Sequence, residues 1–321
     1  MTPDMTMPLL DNLDLFWLLA ACVGGIIGAI VGPNNAFGFT GVMILTGFGI
    51  AATTGSTFFF DYVAFGPAFG PHVAFAGAAA ASAYSAKKGL LATGRDIDTP
   101  LGSLKDPTVL WLAAGFGVAG MVVQRLIALI PWFGSHTDSV ALTVFISGCV
   151  ARLAFGSTGI FHGPTAPEGT HRWLDHQETP GQLGTVAFGA AFMASGVGIV
   201  LASYAKANLP ETAATAVVNS AQALPFAFSA LCIFLLVAGQ KVNVTHHITI
   251  IAALAAVQFW LATDNAWLAL VVGIVFGIMS GFVAEFVIAR LTYYYGDTHI
   301  DPPAGTIWIM TTLIHIALLA V

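Results

Sequence analysis

Thr54-Gly55-Ser56-Thr57-Phe58-Phe59-Phe60-Asp61, followed by Gly66-Pro67 and then Val73-Ala74-Phe75, is the stretch that decides how this chain is read. The pattern returns as Phe155-Gly156-Ser157-Thr158-Gly159-Ile160-Phe161-His162-Gly163-Pro164, leading to Val186-Ala187-Phe188. Gly55 and Gly156 lie 101 residues apart, and the same offset pairs Ser56 with Ser157, Thr57 with Thr158 and Phe60 with Phe161. Beyond the Gly-Pro the offset grows to 113, pairing Val73 with Val186 and Ser82 with Ser195. The second loop is therefore longer by 12 residues, and it is more polar. Each copy reads as apolar helix, Gly-Ser-Thr break, Gly-Pro loop, apolar helix. That is the signature of an internal repeat.

The surroundings of both copies are apolar. Charged residues make up 8% of the chain and hydrophobic ones 57%, with a mean hydropathy of +0.85. A soluble domain carries roughly 25% charged residues. A chain this apolar needs the bilayer as the solvent for most of its surface. The fold class is therefore all-α, an integral membrane domain over 1–321. The 35 glycines read as close helix packing, Gly24-Gly25 and Gly28 among them. Cys22, Cys149 and Cys232 lie in apolar runs and suggest no disulfide framework. The N-terminus holds Asp4, Asp11 and Asp14 without Lys or Arg, so the first apolar run is expected to be retained as a helix.

Ten spans approach the ~20 residues a crossing helix needs. They are 14–32, 38–54, 72–87, 108–131, 139–156, 184–205, 222–239, 246–262, 266–290 and 305–321. The segment Gly55–Pro71 has the character of a broken or re-entrant piece. Basic residues set the orientation. With the N-terminus outside, loop 88–107 is cytoplasmic and holds Lys88, Arg95 and Lys105. Arg172 and Lys241 also fall inside, and Lys206 alone lands clearly outside. Both termini then face out, in a plasma (inner) membrane. Under this topology 14–87 and 108–205 are inverted three-helix repeats, 222–290 is a degenerate third copy, and 305–321 is a final helix.

Ionisable groups inside spans are costly and point to function or to pairing. Arg152, just before the second Gly-Ser-Thr, and Glu285 are expected either to pair with each other or to serve a site. Asp61 in the first broken segment and His162 after the second Gly-Ser-Thr are expected near the two mouths of a site, where they favour or exclude charge. The hydroxyls of Ser56, Thr57, Ser157 and Thr158 and the helix starts at His72 and Thr185 offer polar backbone and side chains to a ligand. His246-His247 opens another span, and one of the two, assigned here as His247, is expected at a site. The polar loop 162–178 carries His162, Glu168, His171, Asp175, His176 and Glu178. Of these His162, Glu168, His171 and His176 are the candidates for metal ligands.

These features point to translocation of a small solute or ion through a central polar cavity, with the two Gly-Ser-Thr breaks facing each other across it. The competing readings are an accessory or assembly subunit of a larger membrane complex and an intramembrane metal-dependent enzyme. No nucleophile elbow, phosphate loop or zinc-protease spacing is present, so catalysis and a bound cofactor are not expected. No basic patch with interleaved aromatics invites nucleic acid. The expected partners are the lipid bilayer, the solute, and a second copy of the chain or another membrane subunit.

Overall fold

The computed structural model describes residues 15–161 and 179–321, and every regular element among them is helical. In chain order these are α1 (Leu15–Val31), α2 (Pro33–Thr54), α3 (Ala74–Lys87), α4 (Pro107–Ala128), α5 (Phe133–His136), α6 (Ser139–Phe155) and α7 (Pro180–Asn208). There follow α8 (Glu211–Ser220), α9 (Ala223–Leu231), α10 (Ile233–Val237), α11 (His246–Thr263), α12 (Ala266–Val283), α13 (Ala289–Thr292) and α14 (Pro302–Leu318). π-helical turns occupy Phe60–Ala64 and Ala284–Ile288. The second of these joins α12 and α13 into one helix of 27 residues.

Where helices start is written in the local sequence. Pro33, Pro107, Pro180 and Pro302 open α2, α4, α7 and α14, where a missing N–H costs nothing. Asp106, Asp138, Thr179, Asn265 and Asp301 each accept a backbone N–H from the first turn of the helix that follows. In an apolar solvent such caps replace water that is not there. The expected break after α2 is present. Gly55 adopts φ 75°, its N–H bonds to Ala51 O at 2.9 Å, and only glycine takes that left-handed cap without strain.

Among the described residues, five helices are long and apolar enough to cross a membrane: α2, α4, α7, α11 and the continuous α12–α13. A sixth span exists if α8 and α9–α10, bent by 51° at a short break, count as one. α1, α6 and α14 are apolar but shorter. α3 has 14 residues and rises about 21 Å, short of the ~30 Å hydrocarbon core. Large apolar side chains face outward, with Met193 and Val200 66% exposed and Trp267 79% exposed, as suits contact with lipid. α8 has no counterpart among the expected spans, because Glu211-Thr212-Ala213-Ala214-Thr215 is too polar to register as one.

The helices do not group in threes as the first offset implied. α4, expected to open a second repeat, packs on α1 and α3, while α7 packs on α11 and α12. These two clusters are built alike. In the first, Gly117 lies against Ala21, Gly25 against Ala113, and Gly77 against Ala113. In the second, Gly277 lies against Ala191, and Gly273 against both Ser195 and Ala252. Ala21 and Gly25 map onto Ala191 and Ser195 by an offset of 170 residues. Ala113 and Gly117 map onto Gly273 and Gly277 by 160, and Gly77 maps onto Ala252 by 175. A fourth contact completes the set. Gly120 abuts the carbonyl of His72, and Ser280 donates to the carbonyl of His247 at 2.9 Å.

Candidate functional site

Between the two clusters lie α2, α6, α8–α10 and α14, and they enclose a cavity of about 670 Å3. Its walls come from α2, α3, α6, α8–α10, α11 and α14, together with the 57–71 segment and the 95–98 loop. Two helix caps line it. Asp138 accepts from Ala141 N at 2.8 Å, and Asp301 accepts from Ala304 N at 2.7 Å. Thr137, beside Asp138, donates to the carbonyl of Trp308, seven residues along α14 from Asp301. The two caps therefore stand about 10 Å apart along the axis of α14.

The polar part of the wall also includes Asn34, Thr57, Asp61, Arg95, Asp98, Asn219, His246 and Tyr293. Asn34 donates to Asp98 at 2.7 Å, Arg95 stacks 4.1 Å over the Tyr293 ring, and His299 meets Asp301 at 3.1 Å. Between these groups the wall is aromatic. Phe37 contacts Phe75, Phe226 and His246 at ring-centroid distances of 6.0, 5.7 and 4.7 Å.

The sequence-derived site residues divide into those on the wall and those off it. Thr57 and Asp61 line the cavity, and the Thr57 hydroxyl donates to the Asp61 carboxylate at 2.9 Å. Ser56 is exposed and accepts from Phe58 N, a local turn of the kind hydroxyls make beside a broken helix. Ser157 and Thr158 wrap the carboxylate of Asp297, with Ser157 N and Oγ at 2.5 and 2.7 Å and Thr158 Oγ1 at 2.8 Å. Partial burial pushes the Asp297 carboxyl up, but these donors outweigh it and hold the group below the usual carboxylate range. The expectation that the two triplets face each other across a cavity is thus corrected. Ser56 closes its own turn, Ser157 and Thr158 hold Asp297, and none of the three lines the cavity.

His72 is fully buried, with neither ring nitrogen hydrogen-bonded, and it lies off the cavity. The same holds for His247; its neighbour His246 is the histidine on the wall. Arg152 is fully buried and works as a strut. Its Nε donates to Thr298 Oγ1 at 3.0 Å, Nη2 to Thr298 O at 2.6 Å and Nη1 to Thr292 O. The charged and titratable groups acting on it are Asp297, Cys149, Arg95 and Tyr293, so the expected pairing with Glu285 is not what holds it. Glu285 is fully buried in the second π-helical turn. Arg125 lies 5.3 Å over the Trp17 ring. His162, Glu168, His171 and His176 lie outside the described residues. Among the described residues, no group of three or more His, Cys, Asp or Glu could hold a metal ion.

Four pairs of wall residues recur at fixed offsets along the chain. Asp138, Ala141 and Val144 of the α6 region and Asp301, Ala304 and Ile307 of the α14 region all line the cavity, and each pair is separated by 163 residues. Phe75 and Ile250, 175 apart like His72 and His247, line it from α3 and α11. The chain belongs to the DUF7973 family. That family, described only as one of unknown function, matches residues 7–165 and 181–321. The two matched segments divide in the connection between α6 and α7. No curated protein and no solved structure matches the chain. The wall residues that sequence reading missed, Asp138 and Asp301 above all, carried a usable signal. Asp-Ser-Val-Ala and Asp-Pro-Pro-Ala are helix starts at corresponding places, but their offset differs from the one set by Gly-Ser-Thr.

Proposed function

We propose that this protein is a membrane transporter that moves a small solute through the cavity between two inverted five-helix repeats. One repeat is α1, α2, α3, α4 and α6. The other is α7, the bent α8–α10, α11, α12–α13 and α14. A repeat with an odd number of crossings necessarily enters its second copy from the opposite side, so ten crossings in two fives make an inverted pair. The observation that carries the reading is the cavity wall, where Asp138, Ala141 and Val144 answer Asp301, Ala304 and Ile307. A binding site on the pseudo-symmetry axis of inverted repeats can be opened to either side by rocking one half against the other. Interrupted helices and caps at that depth are tolerated where they line a polar space. A volume of about 670 Å3 lies within the usual range for a small-molecule site. The basic residues of loop 88–107 support an orientation with the N-terminus outside. In that orientation the Asp138 end faces out and the Asp301 end faces in.

Thiol labelling in sealed vesicles tests this. Cys22, Cys149 and Cys232 would first be replaced by alanine. A thiol at Ala141→Cys should then react with an impermeant maleimide from the outer side, one at Ala304→Cys from the inner side, and an exposed control at Ala92→Cys from the inner side only. If both wall thiols were inert from both sides while the Ala92→Cys control reacted, the cavity would be sealed and the accessory-subunit reading would replace transport.

A further inference from the structure

We infer that the solute is a protonated organic amine, an inference that rests on the transport reading above. Four carboxylates, Asp61, Asp98, Asp138 and Asp301, line the cavity against one guanidinium, and that guanidinium is stacked on Tyr293. The excess of negative charge in a low-dielectric enclosure selects for cations and against anions. A fixed carboxylate excess alone would suit a metal ion as well, but the rest of the wall does not. Among the described residues no three metal-ligating side chains converge. The space is far larger than a bare ion requires, and its middle is built from Phe37, Phe75 and Phe226.

Aromatic rings attract a cation through their negative faces and also accept an apolar body, which a hydrated metal ion lacks. The independent observation is His246. It is 7% exposed, it lines the cavity, it is held between Phe37 and Phe226, and its Nδ1 has no hydrogen-bond partner. A buried polar atom left without a partner is costly and calls for a ligand group that completes it. A neutral imidazole nitrogen accepts from an ammonium N–H, and Asp301, which acts electrostatically on His246, supplies the counter-charge. The pattern is therefore an ammonium head between His246 and the carboxylates, with its hydrocarbon part against the phenylalanines.

Protection of a wall thiol by small probes tests the charge class. The protein would be the full chain in detergent micelles, carrying Ala304→Cys with the three native cysteines replaced by alanine. The probes are benzylammonium, benzoate and benzyl alcohol, which share one ring and differ in charge. At about 10 mM, benzylammonium should slow maleimide labelling about tenfold, the effect expected for a dissociation constant near 1 mM. Benzoate and benzyl alcohol should leave the rate within about twofold of the free protein. Protection by benzoate in preference, or labelling that none of the three slows, overturns the amine assignment while leaving an accessible cavity. A thiol inert in all conditions overturns the cavity reading itself. Asp98→Asn, which leaves both helix caps intact, should weaken the benzylammonium protection about tenfold; unchanged protection would remove Asp98 from the site.

Discussion

Arg152→Met should destabilise the protein by about 3 kcal/mol, a figure that follows from three buried hydrogen bonds. The guanidinium, fully buried, donates to Thr298 Oγ1, Thr298 O and Thr292 O. Hydrogen bonds to a charged group contribute about 1.5–3 kcal/mol each, so the gross loss is several kcal/mol. Removing the cation also removes its own desolvation penalty, itself several kcal/mol. What remains is the cost of buried carbonyls without donors, about 1–3 kcal/mol apiece before relaxation. Arg152→Lys keeps the charge but lacks the fork that reaches both carbonyls, and should fall between the two. The assay is reversible unfolding in mixed detergent and SDS micelles, followed by circular dichroism. In the same assay Arg152→Met and Glu285→Leu should add within about 0.5 kcal/mol, because Glu285 is not among the groups that hold or act on the guanidinium. A loss below about 1 kcal/mol for Arg152→Met, or coupling to Glu285 above about 1 kcal/mol, would refute the strut.

The glycine contacts give a contrast within one helix. A Cβ on Gly117 would stand 2.6 Å from Ala21 O, whereas one on Gly115 meets nothing within 4 Å. Gly117→Val should therefore cost at least ~1–3 kcal/mol and Gly115→Val under ~0.5 kcal/mol in the same unfolding assay, and equal effects would contradict the packing. At the loop between α3 and α4, Lys88 and Thr108 hold the Asp106 carboxyl down at about 2 from its ordinary 3.8. A carboxylate with a depressed folded-state pKa stabilises above its unfolded value and loses that contribution as pH falls through the folded one. Unfolding midpoints should therefore drop between pH 4 and 2 more steeply in the wild type than in Asp106→Asn, and parallel profiles would dismiss the pair's role.

Much of the helix layout was legible because caps, prolines and Gly55 are local signals, and local signals survive any tertiary arrangement. Helices lie under the ten expected spans, but only five or six of them are long and apolar enough to cross a membrane among the described residues, and the small-residue stripe around Gly24, Gly25 and Gly28 is where backbones touch. α8 was not legible, since a short helix with Glu211, Thr212 and Thr215 carries neither length nor hydropathy. The three-helix grouping expected from Gly-Ser-Thr does not match the packing, in which α4 lies on α1 and α3. Gly-Ser-Thr follows any helix that stops at a polar turn, so its offset of 101 carries no information about which helices meet. The offsets that matter, 160 to 175, join alanines and glycines that are too common to stand out until their contacts are known. The same limit applied to the site. His247 and His72 look as polar as His246 in sequence, and only packing decides that His246 faces the cavity.

The placing of the cavity follows from how the two kinds of packing differ. In the α1–α3–α4 and α7–α11–α12 clusters, glycine and alanine let backbones meet, and no room remains between helices. The middle layer is lined instead by phenylalanines, whose rings hold helices apart. α3, α6, α11 and α14 begin against that wider space, and the first N–H groups that each of them carries would be orphaned in lipid, Pro302 and Pro303 of α14 having none. For α6 and α14 the orphans are satisfied by Asp138 and Asp301, which places two carboxylates on the wall for structural reasons. His246, at the start of α11, brings a polar nitrogen to the same wall and finds no partner there. Capping thus accounts for Asp138 and Asp301 without any ligand, whereas Asp98 accepts from Asn34 and opens no helix, and His246 is the wall group left with an unpartnered nitrogen. That difference is why the decisive substitution for recognition is Asp98→Asn, whereas Asp301→Asn would weaken the helix start and the site together.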